Sequence, residues 1–117
     1  MEVVEEVGRG IGSSDPNAIL LDCIEKGFQR YGQDMGRVVF WHLEHSPHSI
    51  PRSEIPVRLQ EFVSELRAMF GTGLKSISRS LAIEIRVRTG NMVEISEEDL
   101  LLTLSRAKAH FQGSVEW

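Results

Sequence analysis

Residues 55–90 read IPVRLQEFVSELRAMFGTGLKSISRSLAIEIRVRTG, and the remainder of the chain is arranged around the two helices they encode. Leu59, Phe62, Val63, Leu66 and Phe70 recur at spacings of three and four, which places them on one stripe of a helix. Gln60, Glu61, Glu65 and Arg67 fall off that stripe and are expected in water. Pro56 suits a first helical turn, where its missing N–H costs nothing. Ile55, which precedes it, is expected to be extended. Glu61 and Glu65 are like charges one turn apart, unfavourable by about 0.2–0.5 kcal/mol, so burial of the apolar stripe has to hold this helix. Gly71-Thr72-Gly73 then breaks it. Gly71 suits a positive φ after a helix end, and Thr72 or Gly73 is expected to cap the next helix.

That helix opens at Leu74, with Leu74, Ile77, Leu81 and Ile85 as its stripe. Lys75, Arg79 and Arg86 lie on a neighbouring face, with Ala82 between them. A second pattern competes here. Ile83, Ile85 and Val87 alternate with Glu84, Arg86 and Arg88, and Thr89-Gly90-Asn91 could turn such a strand into Met92–Ile95 as a hairpin. The stripe running unbroken from Leu74 to Ile85 favours a helix to about Val87, with the hairpin as the alternative.

The totals set limits on the rest. A chain of 117 residues, 41% hydrophobic and 26% charged, has the length and balance of one globular domain with a single core. No apolar run approaches the roughly 20 residues of a membrane span, and the acidic start differs from the basic start of a secretory signal. The single cysteine, Cys23, excludes an internal disulfide and fits a reducing cytoplasm. A net charge of −4 argues against a protein that coats nucleic acid over its whole surface.

Residues 1–14 combine Val3, Val4, Val7 and Ile11 with Gly8, Gly10 and Gly12, and read as a flexible acidic arm. Asp15-Pro16 starts a helix with aspartate at the cap and proline in the first turn. Leu20, Ile24, Phe28 and Tyr31 form its buried face, Gly27 permits a close approach, Cys23 lies beside the face as a small core residue, and Gly32 ends the helix. A second helix is expected from about Gln33 to His45. Its core stripe is Met35, Val38, Val39 and Leu43, and Phe40 and Trp41 add apolar surface around the cylinder. His42, His45 and His48 come next with metal-like spacing, but Ser46-Pro47 ends the helix and no second ligand cluster appears, so a solvent-facing role is expected. Ser46–Ser53 reads as a loop. After a short connector, Ser96 is expected to cap the last helix, with Asp99 as its capping-box partner. Leu100, Leu101, Leu104, Ala107 and Phe111 line that helix, Leu102 stands away from them, and Gly113 closes it.

The architecture expected is all-α: a compact bundle of about five helices with a Gly-Thr-Gly hinge between the third and fourth. Residues 1–14 form the arm, 15–113 the domain and 114–117 a tail bearing Trp117. Three segments, AILLDCIEKGFQRYG (18–32), GRVVFWHLE (36–44) and SEIPVRLQEFVSELRAMFGTGLKSI (53–77), resemble the Nitrosopumilus output domain, a small archaeal family. Ile55-Pro56 and the Phe70-Gly71-x-Gly73 break are the most specific parts, and the resemblance covers about Ala18 to Thr89. It implies an all-helical domain, found alone or attached to regulatory domains, with no known catalytic residue.

No nucleophile–base pair, metal-ligand set or cofactor loop is found, so an enzyme, a cofactor and a metal are not expected. The function expected is a non-enzymatic protein-interaction or signal-output domain, cytoplasmic and self-associating as a homodimer. Phe40, Trp41 and Leu102 mark its interaction surface, with the apolar arm contributing. The alternative is a regulatory protein that binds nucleic acid or phosphate. It would use the helix start at Gly71 and Gly73 together with Lys75, Ser76, Arg79 and Arg86.

Overall fold

Asp15 caps the first helix: its Oδ1 accepts the Asn17 N–H at 3.0 Å, and Pro16 occupies the first turn. The computed structural model describes residues 15–96 and 98–113. These form α1 (Pro16–Tyr31), α2 (Met35–His45), a 3-10 segment (Arg52–Val57), α3 (Leu59–Phe70), a 3-10 turn (Gly71–Gly73), α4 (Leu74–Thr89) and α5 (Leu100–Phe111). Among the described residues there is no strand, and the chain is an all-α bundle. The arm with Val3, Val4, Val7 and Ile11, and the tail with Trp117, lie outside the described residues.

α1 is the central helix. It packs on α2, the 3-10 segment, α4 and α5, while α3 packs on α4, α5 and the 3-10 segment. Leu20, Ile24 and Phe28 of α1 are fully buried with Val39, Leu43, Phe62, Leu66, Ile77, Leu81, Ile85 and Leu104 from the surrounding helices. Gly27 is where α1 and α4 come closest. A Cβ built there would lie 2.9 Å from the Leu81 Cα and 2.4 Å from its Cδ2. Tyr31, expected on the buried face, is instead 45% exposed. It sits in the last turn of α1, past the point where Phe28 meets the core.

The hairpin alternative gives way to helix. α4 runs to Thr89 and ends at Gly90, whose φ of 63° and ψ of 36° are left-handed and whose N–H donates to the Arg86 carbonyl at 2.8 Å. The alternation from Ile83 to Val87 is wound around a helix, so Glu84 and Ile85 go inward while Ile83 and Val87 stay out. Glu84 is buried but partnered, at 3.0 Å from Arg30 and 3.8 Å from Arg88, and Arg88 also donates to Asp22 at 2.6 Å.

Four local expectations are corrected. Ile55 and Pro56 belong to the 3-10 segment, both buried, and α3 starts later, at Leu59. The fully buried Ile55 holds this segment in the core, and that burial overrides the extended preference before proline. Glu65, assigned to water, is buried because His48 from the preceding loop folds onto it. Neither Thr72 nor Gly73 supplies a side-chain cap for α4, since the 3-10 turn leads into the helix with helical dihedrals. Finally, Asp99 caps α5 by accepting the Leu102 N–H at 3.0 Å. Ser96 serves one step earlier: its Oγ accepts the Asp99 N–H, and its backbone N–H donates to Thr103 Oγ1.

Gly71 has φ 53° and ψ −126°, a conformation other residues rarely adopt, with open space around the position of a Cβ. The expected effect of Gly71→Val is therefore backbone strain without a clash, about 1 kcal/mol or more. Chemical denaturation measures it, and an unchanged midpoint would show that this turn does not depend on glycine.

Candidate interaction surface

α2 has two faces. Gly36, Val39 and Leu43, at spacings of three and four, point into the core. Val38, Trp41 and His45 repeat the same spacing on the opposite side. Val38, expected in the core, is 60% exposed, and Trp41 is 61% exposed. The reason is the direction from which α2 is packed: its neighbours are α1 and the 3-10 segment, which cover only the Gly36 side. Trp41 stacks on His45 with ring centroids 4.1 Å apart and planes 19° apart. His45 Nδ1 donates to the Trp41 carbonyl at 2.8 Å, which fixes the imidazole against the indole.

The three residues expected to mark the surface are not equivalent. Trp41 faces outward. Leu102 is 38% exposed on α5, whose neighbours are α1, α3 and α4, so it stands on a different element from the α2 face. Phe40 is half-buried and belongs partly to the core. Its ring meets Phe28 edge-on at 5.8 Å, and the Arg52 guanidinium lies 5.6 Å over it. Arg52 is in turn paired with Glu25, which closes that side of the ring from α1. Val38 and His45 complete the outer face, and their spacing to Trp41 was the signal that could have identified them.

The histidines separate. His42 is exposed, His45 is held by Trp41, and His48 pairs with Glu65 seventeen residues on. Among the described residues no group of three or more His, Cys, Asp or Glu side chains is placed to hold a metal. Arg58 ties the loop to α3. It donates to the His48 and Ser49 carbonyls at 2.9 and 3.1 Å and to Glu54 at 2.8 Å. Its hydrogen bond to Glu61 holds that carboxyl below the usual range. Cys23 is buried, and burial pushes its thiol up to about 11, which makes it a poor nucleophile at neutral pH.

The expected anion-binding residues divide between two adjoining hollows. One is lined by Lys75, Arg79, Ala82, Ile83 and Arg86 together with Ile95 from the connector. The other lies at the 3-10 turn and includes Arg67, Gly71, Thr72 and Lys75, but also Glu98, an acid where a phosphate would sit. The Leu74 N–H at the start of α4 is taken by the Gly71 and Thr72 carbonyls. Gly73 and Ser76 line neither hollow.

Comparison with known protein families, with curated proteins and with solved structures finds no match to this chain. Among the described residues no helix is long and apolar enough to cross a membrane.

Proposed function

We propose that this chain is a non-enzymatic interaction or signal-output domain that pairs with a second copy of itself through the outer face of α2. Trp41 carries the reading, because it is 61% exposed and yet held by its stack on His45. An aromatic ring ordered in advance loses little side-chain freedom on association. Val38 extends the apolar area, and Arg37 of α2 and Asp34 just before the helix, 2.9 Å apart, border it. A two-fold axis across two α2 helices near Trp41 sets the two tryptophans against each other. A self-complementary patch of this kind favours a closed dimer. The resemblance to the Nitrosopumilus output domain is part of the same proposal and favours a cytoplasmic output role.

Light scattering at micromolar concentration is the test. The expected mass is twice 13.2 kDa. Trp41→Ala removes an aromatic contribution of about 1.5–3 kcal/mol per copy, and is expected to return the mass to the monomer value with circular dichroism unchanged. A monomeric wild type rejects the dimer. A dimer indifferent to Trp41→Ala moves the interface elsewhere.

A further inference from the structure

The lysines and arginines of this bundle are distributed unevenly between paired and unpaired. Lys26, Arg30, Arg37, Arg52, Arg58, Arg88 and Arg106 each meet a carboxylate, and Lys108 donates to the Pro56 carbonyl. Arg67, Lys75, Arg79 and Arg86 have no such partner among the described residues, and all four line the two adjoining hollows along α4. The larger share sits in one groove, where Lys75, Arg79 and Arg86 surround an apolar floor of Ala82, Ile83 and Ile95. Unpaired cations around an apolar floor suit an acidic peptide with aliphatic side chains. Nucleic acid fits less well, because the groove offers no aromatic ring on which a base could stack, and the chain carries a net charge of −4.

The chain itself contains a segment of that chemistry. Residues 2–7 read EVVEEV: Glu2, Glu5 and Glu6 are interspersed with Val3, Val4 and Val7. Asp22 pairs with Arg88 and Gly27 lies against Leu81, so α1 runs antiparallel to α4 and residue 15 starts near the Arg86 end of the groove. Fourteen extended residues reach roughly 46 Å at about 3.3 Å each, ample for the length of a four-turn helix. We propose that residues 2–7 of the same chain dock in the α4 groove, with the three glutamates on Lys75, Arg79 and Arg86 and the valines on Ala82, Ile83 and Ile95. A short tether raises the local concentration of the segment to the millimolar range, so modest contacts suffice. This surface is separate from the α2 face, and docking here leaves Trp41 open.

A nitroxide on the full-length Gly8→Cys variant tests the proposal, since buried Cys23 is shielded from the label. The expected result is loss of amide NMR signal across Lys75–Arg86, with the signals of α2 retained. Arg79→Glu with Arg86→Glu is expected to restore those signals, and adding Glu5→Arg with Glu6→Arg to bring the loss back. Circular dichroism checks that each variant is folded, and the charge-swapped variant also reports docking if the first pair perturbs the helix. Signals that persist in the labelled wild type overturn the proposal, as does a loss that ignores the Arg79 and Arg86 reversals. A loss seen only between labelled and unlabelled molecules in a mixture assigns the groove to the segment of a second copy and overturns docking within one chain.

Discussion

Phe28→Ala is expected to lower the unfolding free energy by about 3–5 kcal/mol, the usual range for removing a buried phenylalanine. Phe28 is fully buried at the meeting point of three elements. Its ring lies edge-on to Phe40 of α2 at 5.8 Å and to Phe62 of α3 at 6.4 Å, and its Cβ lies 3.7 Å from where a Cβ of Gly36 would be. Alanine leaves a cavity bordered by helices that are anchored elsewhere, so little collapse can offset the lost contacts. Each edge-to-face pair adds about 0.5–1.5 kcal/mol beyond the area it buries, which places the expected value toward the upper end. Urea or guanidinium denaturation followed by circular dichroism measures it. A loss below about 1 kcal/mol, the size of an ordinary substitution, would mean that α2 and α3 close over the site and that the aromatic cluster is not the centre of the bundle.

Gly27→Val is expected to cost about 3 kcal/mol, at the high end of overpacking effects. Glycine inside a helix normally costs about 1 kcal/mol relative to alanine, so a larger residue here would stabilise α1 taken alone. The packing reverses that sign. A Cβ at this position falls 2.9 Å from the Leu81 Cα, and backbone cannot rotate away as the end of a side chain can. α1 and α4 therefore have to separate, which also strains Arg30–Glu84 and Asp22–Arg88 on either side of the contact. Thermal unfolding of Gly27→Ala beside Gly27→Val gives the dissection. Alanine is expected to destabilise despite its better helix propensity, and a stabilised Gly27→Ala would show that α1 and α4 stand further apart than the structure has them.

The two positions differ in how readable they are. Phe28 is on an i, i+4 stripe with Leu20 and Ile24, so its burial follows from periodicity alone. Gly27 was also legible, as a small residue beside that stripe, but its partner Leu81 lies 54 residues away and no local pattern names it. The same division runs through the interaction surface. Trp41 stands out by residue type, whereas the inward turn of Phe40 depends on Phe28 and on Arg52, which itself pairs with Glu25 from α1.

Helix ends and helix faces were written locally wherever one signal acted without a rival. Asp15-Pro16, Gly32 and Gly71 each serve within a few residues of their own backbone hydrogen bonds, and stripes such as Leu59–Phe62–Val63–Leu66 name a buried face without knowledge of the neighbour. Where two signals competed, long-range packing chose between them. α2 carries apolar residues on both sides, and α1 with the 3-10 segment covers only Val39 and Leu43, leaving Val38 outside. Ser96 and Asp99 are both good caps, and Thr103, held to Ser96, leaves Asp99 to close the helix. Ile55-Pro56 becomes a 3-10 segment because Ile55 is drawn into the core. Glu65 is buried because a loop residue, His48, reaches it. A capping side chain acts over three or four residues of backbone, so the sequence can specify it. Which apolar face goes inward, and which charge finds a partner, is an energy shared between segments far apart in the chain, and it takes a value only once those segments are packed together.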